Sequence, residues 1–518
     1  MSSNNTASQI YSYHTFLLAF RYDGNNTPEE NGKWTEDDLL EFNGKSDDEK
    51  KLNYQRIQYF TPEARELFFQ NGKYYKYDLS PNEQYKIEKK TDNGTLHYDL
   101  DVNEVRAILF EGNIGVLILE LENTKYTSLQ AVKHINEYGR RINLPYIGDG
   151  QSPHALVADK ITFLGKTEDF VQKGKDILSQ GNMDQFKDGY IMKPVEKLLD
   201  ELLPQHGKII PVLDDRMFVC CMVRDSELSN EIASGKDMYL DKDFSQKIYA
   251  LSFIDADWAS CQSVEMREEI LKRCIDSRWR DWGTIDVITH HSLIRITGGV
   301  EVDIVDSVVN PFLIQYVYLA IGALVQRATI LSLSAESAAI SNKYLSKDFS
   351  EELNNELKNL KKKYVYAQNN IFLHELTVQE QGVEEFDMLK NELYIDNSLE
   401  NLNNKIDGLY GYVKEYSDDK RARLERESDA EKARLERESD KKEERKFNML
   451  GILFGLMFIT EPIANILRGF IDWIIGLFGL GPTDSDLAVG IIWFILASIG
   501  FLMIDKHYEL LLFRKKTR

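Results

Sequence analysis

The feature that most constrains this chain is its C-terminal end. Leu487 to Ile504 is a run of 18 residues without a charge, and a membrane-spanning helix needs about 20 predominantly apolar residues. A first apolar run covers Phe447 to Thr460 and resumes from Ile463 to Leu467 after Glu461-Pro462. Between the two lies Gly469 to Leu480, apolar but interrupted by Asp472 and Trp473. It is too short to cross a bilayer, and its composition suits the interface.

Basic residues set the expected orientation. Lys441, Lys442, Arg445 and Lys446 precede the first run, and Lys506, Arg514, Lys515, Lys516 and Arg518 follow the second. Segment 461–486 holds Arg468 against Glu461, Asp472, Asp484 and Asp486. Both ends are therefore expected on the cytoplasmic side, with the acidic connection outside. Pro311 to Ser334 is also mostly apolar, but its charge-poor core from Phe312 to Val325 is only 14 residues. It reads as a buried helix of the water-soluble part.

The rest of the chain carries few motifs. Its 63 Lys and Arg against 84 Asp and Glu give a net charge of −21, which argues against a protein that coats nucleic acid. Met1 to Ile10 is polar and lacks the basic start and apolar stretch of a cleavable signal. The four cysteines, Cys220, Cys221, Cys261 and Cys274, have neither disulfide-framework nor zinc-site spacing and read as free thiols in a reducing compartment. There is no GxSxG, GxxxxGK[ST] or HExxH, so no enzyme and no metal site are expected.

The expected architecture is an α/β cytoplasmic domain, then long stalk helices, then a two-helix transmembrane hairpin. Residues 1–310 form the α/β domain, with strands at Ser12–Phe20, Val105–Leu109, Gly115–Leu121, Met217–Val223, Ile285–Thr289 and Ser292–Thr297, and helices at Ser128–Arg141 and Pro194–Leu203. Residues 23–50 and 70–97 are polar, with Gly, Asn and Asp, and read as loops or insertions. Residues 311–446 form a helical bundle and stalk, free of proline from Phe312 to Glu461, with breaks near 347–350 and 379–384. Then follow a first span at 447–467, an outer loop at 468–486, a second span at 487–504 and a basic tail at 505–518.

The stalk contains a repeat. ARLERESD occurs at Ala422–Asp429 and again at Ala433–Asp440, 11 residues on. Eleven residues make three turns of a straight or slightly right-handed helix. From Ser398 to Lys446 such a helix would run roughly 70 Å, on toward the first span.

This layout resembles the CorA-like divalent-cation transporter superfamily, whose members form homopentamers with the first span lining the pore. That superfamily ends its first span with Gly-Met-Asn; here the place reads Ile459 to Asn465, ITEPIAN. A narrower resemblance covers the whole chain through HTFLLAFRYD (His14–Asp23), EYGRRINLPYIGDG (Glu137–Gly150) and QRATILSLS (Gln326–Ser334). These segments look like CorA-like proteins found beside type III CRISPR systems, which usually lack Gly-Met-Asn. The resemblance implies a membrane effector of antiphage defence, a homo-oligomer opened by a nucleotide second messenger, either S-adenosylmethionine joined to AMP or a cyclic oligoadenylate. A divalent cation is kept as a candidate cargo, no tightly bound cofactor is expected, and the alternatives are a constitutive divalent-cation transporter and a membrane-anchored scaffold.

Arg140 and Arg141 are the first candidates for binding the messenger, since adjacent guanidinium groups bind phosphate bidentately and stay charged. Equally, they can be the basic end of a helix. His14, Arg21 and Tyr22 join them as ligand-binding candidates, Tyr22 as a surface for a base to stack on. Trp279, Arg280, Trp282, His290 and His291 form a second aromatic and basic set, read as a purine site, as a subunit interface or as core packing. Asn448, Gly451, Ile452, Gly455 and Ile459 share one helical face and are the pore-lining candidates, Gly451 and Gly455 allowing close helix approach. Glu461 would place a ring of acid at the outer mouth.

Overall fold

The computed structural model describes residues 10–22, 33–144, 157–180, 191–204, 209–213, 215–346 and 351–478. It holds an N-terminal α/β sheet domain followed by a long helical region. In chain order the elements are β1 (Ser12–Tyr22), β2 (Trp34–Glu36), α1 (Asp47–Tyr59), α2 (Pro62–Glu66), β3 (Lys73–Tyr77), β4 (Gln84–Thr91), β5 (Gly94–Phe110), β6 (Ile114–Asn123), α3 (Leu129–Gly139), β7 (Lys160–Phe163), β8 (Lys166–Asp169), α4 (Phe170–Gln180) and α5 (Lys193–Leu202). There follow β9 (Ile209–Pro211), β10 (Phe218–Arg224), α6 (Ser226–Ala233), α7 (Lys242–Ser252), α8 (Val264–Cys274), β11 (Ile275–Asp276), β12 (Ile285–Ile288), β13 (Ser292–Thr297), α9 (Val317–Ser346), α10 (Glu351–Asn370), α11 (Glu380–Glu392) and α12 (Ile395–Phe478).

One sheet takes in all these strands in the order β11-β12-β13-β10-β1-β6-β5-β4-β7-β8, with β9 beside β1, and β3 joining β2 to β5. The β10–β13 pair is parallel and the others are antiparallel. Alternation along β1 explains why both sheet faces are covered. Phe16, Leu18, Phe20 and Tyr22 enter the core that contains α3, α5 and α7 residues, while Tyr13, Leu17 and Ala19 enter the core built on α9. A central strand buried on both faces reads as a continuous apolar run, and HTFLLAF is one.

The reading of 70–97 as loop is overturned. This stretch contains β3 and β4, both paired with the 17-residue β5. Charged residues dominate it, and burial of Tyr85 and Ile87 in β4 follows from cross-strand pairing that a local polarity reading misses. Within 23–50, β2 and the start of α1 are also ordered elements, and Ser46 caps α1 by a reciprocal bond with Glu49. Residues 23–32 lie outside the described residues.

The apolar stretch Val305–Lys343 is the one helical stretch among the described residues that is long and apolar enough to cross a membrane, and most of it is buried within the fold. Its core residues Leu319, Ala320, Ile321, Ala323, Leu324 and Val325 are fully covered, as the sequence leads one to expect. A helix apolar all round is a core helix when protein surrounds it.

The helical breaks fall elsewhere than at 379–384. α10 stops at Asn370, residues 371–379 are non-helical, and α11 runs unbroken to Glu392 before a turn at Leu393 and Tyr394. Thr377 explains the first break, because its hydroxyl donates to the Tyr59 carbonyl and ties this connection to the end of α1. The second expected break, at 347–350, lies outside the described residues.

Two compact units result, Met1–Val413 and Lys414–Arg518. α9, α10 and α11 belong to the first, with the sheet. α12 is a single helix of 84 residues. It contains the repeat and the whole of 447–467, and it continues through Pro462 to Phe478. One missing N–H is tolerated where flanking residues favour helix.

Candidate functional site

α3 carries the first candidate site. Its N-terminus is capped by Ser128, whose hydroxyl accepts from the Ala131 N–H. Its C-terminus lies against the sheet because residue 139 is glycine: a Cβ there would meet the Phe16 ring and Ile87 Cδ1 at 3.0 Å. Tyr85 Oη donates to the Gly139 carbonyl at 2.8 Å. This close approach buries the next residue, Arg140, to 1% exposure.

The chain after α3 then pairs with a distant segment. Met217 N–H donates to the Arg140 carbonyl, Ile142 and Asn143 N–H groups donate to the Asp215 carbonyl, and Arg141 bridges antiparallel to Arg216. Three guanidinium groups and two carboxylates are thereby gathered. Glu137 accepts from both arginines that follow its helix, from Arg140 Nη2 at 2.7 Å and from Arg141 Nη2 at 2.6 Å. Asp215 accepts from Arg141 Nη1 at 2.7 Å and faces Arg216 Nε at 3.1 Å.

The balance favours an anion. Among the described residues three cations face two carboxylates, and Arg140 Nε, Arg140 Nη1 and Arg141 Nε are buried with no hydrogen-bond partner. Buried donors without partners are costly and uncommon in a native fold. Burial, together with the nearby charges of Arg216 and Arg141, brings the Arg140 guanidinium down to about 10 even with Glu137 bound to it. Burial pushes the Glu137 carboxyl up, but Arg140 and Arg141 outweigh it and hold Glu137 below the usual range. The group is thus a preformed cationic site whose own carboxylates orient two arginines.

His14 lies under the same helix but not in this site. It is fully buried. Its Nδ1 is 2.7 Å from Asn136 Oδ1, and its Nε2 is 2.9 Å from Ser12 Oγ. Burial lowers its pKa to about 4, against the pull of the Asn136 bond. Cys221 Sγ lies 3.6 Å from Nδ1, and burial raises that thiol to about 12. The pair is neutral and anchors α3 to β1 and β10. Among the described residues no group of three metal-ligating side chains occurs.

Arg21 and Tyr22 are seven residues further along β1, about 23 Å at strand rise. They line a cavity of about 650 Å³ between the β5–β6 turn and the α9–α10 pair. The structure therefore separates the five candidates into an arginine site with His14 behind it and a second place with Arg21 and Tyr22. Burial, with Glu111 adding, raises the Tyr22 phenol to about 12.

The second aromatic and basic set is also split. Trp279 and Trp282 are exposed on the turn before β12, Trp282 by 83%, and Arg280 donates to the Lys236 carbonyl. His290 and His291 sit at the other end of β12, where His290 Nδ1 meets the Glu392 carbonyl at 2.8 Å. With Arg216 and Arg327 they line a small cavity of about 80 Å³.

Of the pore-lining candidates, Asn448, Gly451 and Ile452 lie on α12 with exposed side chains. Gly455, Ile459 and Glu461 lie on the same helix, but their side chains are outside the described residues, as is the whole of 487–504.

Sequence reasoning missed Glu137, Asp215 and Arg216 as members of the site. Glu137 had a local signal, standing three and four residues before the two arginines. Asp215 and Arg216 had none. Comparison with protein-family models, curated proteins and solved structures gives no match to this chain.

Proposed function

We propose that this chain is a membrane effector of the CorA-like, type III CRISPR-associated kind, a homo-oligomeric channel or permeabilising protein opened by a nucleotide second messenger. The observation that carries the reading is the buried arginine group at the end of α3, with three guanidinium nitrogens left unpartnered in a chain of net charge −21. A messenger phosphate would take those donors. Arg140 and Arg141 would hold it, and Glu137 and Asp215 would keep them aimed. The messenger is S-adenosylmethionine–AMP or a cyclic oligoadenylate.

The membrane part is read from the sequence runs 447–467 and 487–504, which give a two-helix hairpin in the inner membrane with both chain ends cytoplasmic. A pentamer and pore lining by Asn448, Gly451, Ile452, Gly455, Ile459 and Glu461 follow from the resemblance. The support for coupling is that α12 joins the sheet domain to the first apolar run without interruption. To open a pore the ligand must bind the open arrangement more tightly than the closed one.

The test is ion flux from liposomes carrying the full-length protein, with and without each nucleotide. Flux that requires one nucleotide supports the reading. Flux without nucleotide makes the chain a constitutive divalent-cation transporter, and silence throughout makes it a scaffold. Arg140→Ala with Arg141→Ala is expected to weaken nucleotide binding at least about 100-fold, since each charge-assisted bond contributes roughly 1.5–3 kcal/mol. Unchanged affinity would move the messenger to another site.

A further inference from the structure

The cavity of about 650 Å³ lies on the α9 side of the sheet, and no role has been given to it above. Its volume falls in the range of roughly 300–1,000 Å³ typical of small-molecule sites. Its walls are of three kinds. Ile114, Leu333, Ile340, Ala367 and Ile371 give an apolar floor, beside which lies Tyr366. Thr329, Ser332, Asn113 and Asn359 interrupt it with hydrogen-bonding groups. The rim is charged.

The rim charges sort by partner. Lys343 Nζ pairs with Glu356 Oε1 at 2.6 Å, and Lys363 Nζ with Glu336 Oε2 at 2.9 Å. Both pairs join α9 to α10 and brace one wall of the cavity. Arg21 and Lys362 make no ion pair among the described residues, and neither does Glu111 on the β5–β6 turn. Glu111 lies close enough to Tyr22 and Tyr366 to push both phenols up, after burial. Among the described residues the cavity thus offers two cations without ion pairs, an apolar lining with a tyrosine, and one carboxylate without an ion pair.

We propose that this cavity is a binding site for a nucleoside monophosphate, distinct from the arginine group at α3. The phosphate binds Arg21 and Lys362, the base lies on the apolar floor beside Tyr366, and hydroxyl or amino donors of the nucleoside face Glu111. The Thr329 hydroxyl already donates to the Val325 carbonyl at 2.8 Å, but an acyl chain would set Ser332, Asn113 and Asn359 against hydrocarbon, which selects a compact polar ring over a lipid tail. Inorganic phosphate alone would leave the floor empty. Occupancy ties the β5–β6 turn to α9 and α10, the helices that lead to α11 and α12, so the site tunes how firmly those helices rest on the sheet.

The experiment is calorimetric titration of AMP into the full-length protein in detergent, with adenosine, inorganic phosphate and decanoate as separate probes. AMP is expected to bind more tightly than adenosine or phosphate. Arg21→Ala with Lys362→Ala, both partly or fully exposed side chains, is expected to lower AMP affinity at least ten-fold. Arg140→Ala with Arg141→Ala is expected to leave it within two-fold. Absence of AMP binding up to millimolar concentration overturns the proposal, as does decanoate binding in its place. AMP affinity unchanged by Arg21→Ala with Lys362→Ala also overturns it. Loss of AMP binding in the Arg140→Ala, Arg141→Ala protein alone overturns it too, while leaving the α3 reading standing. Hydrogen exchange supplies an independent readout: AMP is expected to slow exchange in α9 and α10.

Discussion

Arg141 donates to Asp215 Oδ2 at 2.7 Å across 74 residues of chain, and the same guanidinium donates to Glu137 Oε1 at 2.6 Å. One arginine therefore fastens the end of α3 to the segment that leads into β10. It does so with its Nε still unpartnered. Such a group is fixed in direction before any ligand arrives, which lowers the ordering cost of binding.

Asp215→Ala removes one of the two carboxylates that hold Arg141. With both partners mostly covered, a loss of about 2 kcal/mol is expected, seen as a thermal unfolding midpoint a few degrees lower for the full chain in detergent. Asp215→Asn keeps an acceptor and is expected to lose less than half as much. An unchanged midpoint in the alanine variant would sink the anchoring role.

His14 makes the fold sensitive to acid. The folded state holds its imidazole at about 4 through burial, against about 6.5 in an unfolded chain. Between those values the unfolded state takes up a proton that the folded state refuses, so stability falls as pH falls, by of order 3 kcal/mol. Glu122, raised to about 7 by burial and by Glu120 and Asp101, acts oppositely: it favours the fold at low pH and loses that contribution as pH rises from about 4.5 to 7. The wild-type curve mixes the two. The difference between wild type and His14→Gln isolates the histidine and should narrow steadily from pH 7 to pH 4; a difference independent of pH would mean that His14 is not held neutral.

Arg295 is enclosed by Asp286 at 2.7 and 2.6 Å and by Glu385 at 3.4 Å, with the Tyr316 ring 4.1 Å from its guanidinium carbon. Burial, with Asp286 adding, holds the Glu385 carboxyl well above its usual range. Its stabilising contribution is full below about 4.5 and is lost as pH rises toward its folded-state value. Glu385→Gln should match wild type near pH 4 and exceed it progressively above that. Arg295→Met leaves Asp286 buried without its partner and should cost about 3–5 kcal/mol at every pH above 5. A Glu385→Gln protein that is destabilised equally from pH 4 to 8 contradicts the assignment.

Two glycines separate local propensity from packing. A Cβ at Gly382 in α11 would fall on the Tyr59 hydroxyl and lie 2.6 Å from Thr377 Cγ2, whereas at Gly408 in α12 nothing stands within 4 Å. Gly408→Ala should stabilise by about 0.5–1 kcal/mol, and Gly382→Ala should destabilise by about 1–3 kcal/mol. Thermal unfolding of both variants in one buffer decides it; a stabilised Gly382→Ala would mean that α11 is free to shift from α1.

What was legible in the sequence follows from how local each signal was. Ser292–Thr297 emerges with the bounds its composition gives, because β13 is rich in β-branched residues and ends at Gly298-Gly299. β3 and β4 were hidden by their charged residues, of which Lys73, Lys76 and Lys86 are exposed while Lys89 is buried and donates to the Val157 carbonyl. The adjacent arginines stood out as charge in a conspicuous place. Their partners Asp215 and Arg216 did not, since only antiparallel pairing of 140–143 with 215–217 brings them in. The split of Arg21 and Tyr22 from Arg140 and Arg141 was equally invisible: β1 is long enough to hold its two ends at different sites.

The coupling reading turns on α12. It joins the turn at Leu393–Tyr394 to the apolar run without a break, and its repeat Ala422–Asp440 carries exposed Leu424 and Leu435 in otherwise charged surroundings. A proline at Ala430, between the two repeat units, removes one backbone bond and clashes with the preceding turn, at a cost of about 3 kcal/mol or more. The proposed messenger site is in another part of the chain, so on that proposal Ala430→Pro is expected to bind nucleotide within two-fold of wild type. Flux from liposomes should fall at least ten-fold, because the helix can no longer carry displacement as a rigid rod. Equal binding with lost flux separates gating from recognition. Retained flux would show that α12 is a tether and that the opening signal reaches the membrane by another route.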